Sequence, residues 1–65
     1  MHLIVNGRSL VLEVSTLSEL VEALGHSQTA VATAVNGEFV ASTRRNAACL
    51  RDDDHVEIVS SRPGG

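Results

Sequence analysis

Sixty-five residues with a net charge of −3 leave room for one small domain, whose folding buries only about 60% of its unfolded surface. No Lys and five scattered Arg exclude the basic stripe of a nucleic-acid binder, and one Phe without Tyr or Trp excludes its aromatic stacking platforms. A single Cys forbids an internal disulfide, and nothing approaches the roughly 20 apolar residues of a membrane span. The opening residues lack a basic stretch followed by an apolar run, so no secretory signal is expected. A soluble, reducing compartment, the cytoplasm, is the expected location. With no metal cluster of zinc-finger spacing either, stability must come from regular elements packed around an aliphatic core.

Leu3-Ile4-Val5 and Leu10-Val11-Leu12 flank Asn6-Gly7-Arg8-Ser9. Asn-Gly is the strongest short hairpin cue, because type I′ turns need positive φ. Apolar residues on successive positions predict two well-covered strands. Ser15-Thr16 then ends the strand and opens a helix. Thr16 and Glu19 have capping-box spacing, and Leu17, Leu20, Val21 and Leu24 fall on one face of a 3.6-residue period. Glu19 and Glu22 lie away from that face, and Gly25 supplies a left-handed C-cap.

After a polar link, Val31 to Val35, Asn36-Gly37 and Phe39-Val40 predict a second hairpin. Residues 41–49 read only as an irregular link. Leu50 is an apolar anchor, and Asp52-Asp53-Asp54 is a turn whose middle residue tolerates the left-handed region. His55 to Ser60 is a last strand with Val56 and Ile58 on one face, expected beside the first strand in the sheet centre. One helix covering one face of such a sheet is an α+β arrangement, a β-grasp: a mixed sheet of about five strands over residues 1–60. Residues 61–65, Ser-Arg-Pro-Gly-Gly, have no large apolar side chain with which to dock and are expected to form a flexible tail.

Most conventional chemistry is absent from this pattern. The acidic run beside His55 reads as a solvated turn, since calcium and magnesium need spaced oxygens converging from a shaped loop. Cys49, between Ala48 and Leu50, reads as a small buried side chain, an environment that blunts a thiol. No Ser or Thr has a His and Asp arranged to activate it. The tail differs. At average glycine usage a chain ends in Gly-Gly about once in two hundred. Ser60 to Gly65 could extend roughly 20 Å at ~3.3 Å per residue. Without side chains, Gly64 and Gly65 can thread a narrow channel, and Pro63 limits the entropy lost when the segment is held extended.

The Ile4-Val5-Asn6-Gly7 hairpin, Thr16 to Val21, Val35 to Val40, Leu50 to Val59 and Gly64-Gly65 resemble, in order and spacing, the ThiS family of ubiquitin-like sulfur carriers of thiamine biosynthesis. The resemblance covers nearly the whole chain. It implies a carrier rather than an enzyme, with no cofactor bound. A ThiF-type, E1-like adenylyltransferase would use ATP and magnesium to adenylate Gly65, with Pro63 and Gly64 threading the partner's active site. A persulfide donor would then supply sulfur to form a thiocarboxylate, which a ThiG-type thiazole synthase would consume. Partner docking is expected on the sheet face away from the helix, through Val59 and Glu57. Phe39 belongs either there or to the core. The family often has a Pro-Arg pair after the fourth strand and a Trp beyond it, where this chain has Ala41-Ser42 and no Trp. Asp53 stands where the family commonly has Gly. Other readings are a molybdopterin-synthase small-subunit type of carrier, a β-grasp interaction module that is never activated, and a modifier conjugated to protein lysines.

Overall fold

A computed structural model describes residues 1–61. Pro63, Gly64 and Gly65 lie outside the described residues, as does most of the expected tail. The elements run β1 (His2–Val5), β2 (Arg8–Val11), α1 (Leu17–Ala23), β3 (Val31–Val35), β4 (Glu38–Val40), a 3₁₀ segment (Ser42–Ala47) and β5 (Asp54–Ser60). They form one five-stranded sheet in the order β2-β1-β5-β3-β4, with β5 parallel to β1 and antiparallel to β3. The last strand thus fills the centre beside the first, the β-grasp topology anticipated from the element order.

Local chemistry explains the turns. Asn6 and Gly7 have φ of 50° and 82°, and Asn36 and Gly37 have 51° and 86°, the paired positive values of type I′ hairpins. The first turn is tighter than the sequence suggested. Val5 pairs directly with Arg8, so β2 starts at Arg8 rather than Leu10. Each Asn also has a second role. The Asn6 side chain accepts from Ile58 N–H (2.9 Å) and donates to Ile58 C=O (3.0 Å), prolonging the β1–β5 ladder after β1 has turned away. Asn36 Oδ1 likewise accepts from His55 N–H at 2.9 Å.

The helix is bounded as its sequence implies. Thr16 Oγ1 accepts from Glu19 N–H, and Glu19 Oε1 accepts from Thr16 and Ser15 N–H. At the other end Gly25 (φ 80°) donates to Glu22 C=O while His26 donates to Val21 C=O, the paired bonds of a Schellman motif. Leu17, Leu20 and Val21 are fully buried against Leu3, Val5, Val56 and Ile58. That core is aliphatic throughout.

Two expectations fail. The first two strands are not both well covered: β2 is an edge strand, and Val11 is 79% exposed. Successive apolar residues cannot all face one side of a pleated strand, and α1 covers only one side. Cys49 is exposed rather than buried. It lies in extended backbone that bridges to Thr16, so Ala48 and Leu50 turn inward and the residue between them turns out.

The 41–49 link is more ordered than its composition implied. Its 3₁₀ segment buries Arg45 to 2% exposure. Arg45 Nε donates to Thr33 Oγ1 (3.0 Å), Nη1 to Gln28 C=O (2.6 Å) and Oε1 (3.1 Å), and Nη2 to Val31 C=O (2.7 Å). Among the described residues this cation is met by neutral oxygens, with no carboxylate paired to it.

Candidate functional site

Alternation along β5 assigns its side chains to two faces. Val56 and Ile58 enter the core, while His55, Glu57 and Val59 point to the face that α1 leaves uncovered. On β3, Thr33 is buried beneath the sheet and Ala32 and Ala34 lie on the open side. Register then builds a surface. Phe39, Ala34 and Glu57 form one row across β4, β3 and β5, and Ala32 with Val59 forms the next. The two small alanines leave a hollow between the larger side chains.

Phe39 is 72% exposed and Val59 55% exposed. Of the two places open to Phe39 from its sequence, the structure selects the surface. Val11, on the β2 edge, points to the same side of the sheet, so all three exposed large hydrophobics among the described residues share one face. The hollow lined by Ala32, Ala34, Phe39, Glu57 and Val59 has a volume of ≈ 190 Å³ and is open to solvent. Drug-sized ligands occupy pockets of about 300–1,000 Å³, so this one is too small to enclose such a ligand. Glu57 at its border offers a carboxylate to a cation or an N–H donor.

The side chains of the acidic turn are already committed to hydrogen bonds. Asp52 Oδ1 accepts from His2 N–H (2.8 Å), Asp53 Oδ1 meets His2 Nδ1 (2.6 Å), and Asp54 accepts from Arg51 N–H and Asn36 Nδ2. Asp53 has the positive φ, 70°, that the turn requires. Among the described residues no group of three or more His, Cys, Asp or Glu side chains is placed to hold a metal ion, and no helix is long and apolar enough to cross a membrane. The seven residues of β5 separate this turn from the chain's exit by about 20 Å.

At that exit Ser61 N–H donates to Ala30 C=O at 3.0 Å, continuing the pairing of Ser60 with Val31. Ser61 also borders a second depression together with Ala32, Phe39 and Arg45. The chain therefore leaves the sheet next to the exposed apolar face. Gly65, the expected reactive residue, and Pro63 and Gly64 before it, lie outside the described residues. Arg45 is the residue that sequence reasoning missed. Its only available cue was an Arg set among small residues in a link of no clear periodicity.

A model of the ThiS family matches residues 4–65. Among solved structures, a crystal structure of the thiamine biosynthesis protein ThiS from Geobacter metallireducens is similar, with a TM-score of 0.84 and 30% identity over 100% of both chains. A solution NMR structure of a thiamine biosynthesis protein from the same organism has a TM-score of 0.79 and 30% identity, covering 100% of this chain and 88% of that one. No curated protein matches this sequence.

Proposed function

This chain belongs to the ThiS family, and on that premise we propose that it is a cytoplasmic sulfur carrier for the thiazole ring of thiamine. It is a carrier, not a catalyst. The observation that carries the reading is a family match that continues through Gly64-Gly65 instead of stopping at the sheet. A Gly65 carboxylate is a poor electrophile until a good leaving group replaces its oxygen. A carboxylate oxygen attacks the α-phosphorus of magnesium-bound ATP within a ThiF-type enzyme, pyrophosphate departs, and an acyl-adenylate remains. The outer sulfur of a persulfide then displaces AMP, and a second thiol cleaves the new S–S bond to leave the thiocarboxylate. That group is ionised near neutral pH and nucleophilic, and a ThiG-type synthase takes its sulfur.

The partners provide positioning and chemistry, and the carrier provides a reactive end and a docking surface. We assign docking to Val59, Glu57 and Phe39. The reading is supported by their shared exposure on one face and by Ser61 leaving the sheet beside it. Pro63 and Gly64 are the segment that enters the partner's active site. The test is intact mass. Incubation of the full chain with an E1-like enzyme, ATP, magnesium, a persulfide donor and a thiol should add about 16 Da as sulfur replaces oxygen. An unchanged mass refutes the carrier reading. Restored thiazole formation in an extract lacking its own carrier tests the thiamine assignment, and molybdopterin formation without it overturns that assignment.

A further inference from the structure

The buried Arg45 fork grips the backbone immediately around the point where the C-terminal segment leaves the sheet. Its Nη1 and Nη2 hold the carbonyls of Gln28 and Val31. Between these two residues lies Ala30, whose carbonyl accepts the Ser61 N–H. Its Nε holds Thr33 Oγ1, which itself donates to Val40 C=O (2.8 Å), so the same side chain ties the β3–β4 hairpin to this link. Five donors in a rigid plane can hold several carbonyls at once; an ammonium cannot reproduce that geometry.

We propose that Arg45 is a positioning residue that fixes the root of the reactive tail at Ser61 and so sets the reach of the Gly65 carboxylate. This rests on the sulfur-carrier reading of the tail. Four residues follow Ser61, a span of at most about 13 Å at ~3.3 Å per residue. If the 28–31 backbone loosens, β5 can release Ser61 and Ser60, whose partners are Ala30 and Val31. The tether to the carboxylate then lengthens from four residues to six. Effective concentration falls with about the −3/2 power of chain length, so the carboxylate is diluted roughly 1.8-fold at the partner's reactive centre. Orientation is lost in addition. Docking through Phe39 and Glu57 is not.

The test compares the wild-type chain with Arg45→Met, Arg45→Lys and, as a destabilised control on β1 opposite the start of β5, Leu3→Val. In Arg45→Met the backbone order parameter of Ser61 is expected to fall below about 0.6 while Val56 stays near about 0.85. Adenylation by the E1-like enzyme, assayed where every variant is folded, should lose about threefold in kcat with KM for the carrier little changed. Arg45→Lys should fall between wild type and Arg45→Met, and Leu3→Val should keep wild-type kcat. An unchanged Ser61 order parameter in Arg45→Met overturns the proposal, as does an equal kcat loss in Leu3→Val, which would make the effect one of stability alone. Should Arg45→Met fail to fold, Arg45→Lys and Thr33→Val carry the same two measurements. A wild-type chain that is not adenylated at all overturns the carrier reading instead, and the Ser61 measurement still decides whether Arg45 holds the root.

Discussion

Asn6 occupies a turn position for which Gly is the usual alternative, so Asn6→Gly separates its two roles. The turn needs positive φ at this position, and Gly adopts φ near 50° without strain. What Gly removes is the pair of side-chain bonds to Ile58, at 2.9 and 3.0 Å. Ile58 is itself only 4% exposed, so its released N–H and C=O have little access to water. At about 0.5–1.5 kcal/mol net per bond, the pair is worth about 1–3 kcal/mol. A domain of this size has about 3–10 kcal/mol in total at ~0.05–0.15 kcal/mol per residue, so the loss is a large share. It corresponds to a fall in Tm of about 8–16 °C for a 2 kcal/mol change. Differential scanning calorimetry and urea unfolding measure it directly. Asn6→Asp should also destabilise, because the carboxylate can still accept from Ile58 N–H but repels Ile58 C=O. An Asn6→Gly protein that melts within about 2 °C of wild type, against the ~4–8 °C expected for each kcal/mol, would show that the two bonds contribute nothing net and would refute the clamp.

Other outcomes follow from the same structure. Thr16→Ala removes the acceptor for Glu19 N–H and should cost about 1 kcal/mol by chemical unfolding, with the fold unchanged by circular dichroism. Phe39→Ala and Val59→Ala delete exposed side chains, so stability should change by less than about 0.5 kcal/mol. The affinity for the activating enzyme should fall by more than about 1 kcal/mol in titration calorimetry, as it does for anchors at the centre of an interface. Unchanged affinity would move docking to another face. Deleting Gly65 should abolish adenylation in a pyrophosphate-release assay and leave Tm unchanged, because glycine has no side chain to bury. A large loss of Tm would make the residue structural.

The elements that were legible from sequence are those governed by local chemistry. Asn6-Gly7 and Asn36-Gly37 require positive φ whatever surrounds them, and Thr16, Glu19 and Gly25 satisfy helix-end groups within a few residues of themselves. The apolar period of Leu17, Leu20 and Val21 needed only one covered face to become the core. Val59 and Glu57 were placed on the open face by alternation alone, once Val56 and Ile58 were taken as inward. Gly64-Gly65 is singled out in the sequence by its lack of side chains and lies outside the described residues.

The rest depended on neighbours distant in the chain. Whether Leu10-Val11-Leu12 is covered is decided by β2 lying at an edge, a fact of strand order. Cys49 is turned outward by its bridge to Thr16, 33 positions away, which sets the phase of the alternation. Phe39 could fill the core or the surface until pairing with Ala34 placed it on the face opposite the helix. Arg45 is the clearest case. Composition presents it as a surface cation, and only the convergence of Gln28, Val31 and Thr33 oxygens makes its burial tolerable. Sequence by itself determined turns, caps and periodicity, because each is settled within a few bonds or one helical turn. Tertiary structure decided which face each strand shows to solvent and where the chain leaves the sheet, because burial and hydrogen-bond satisfaction are properties of assembled elements.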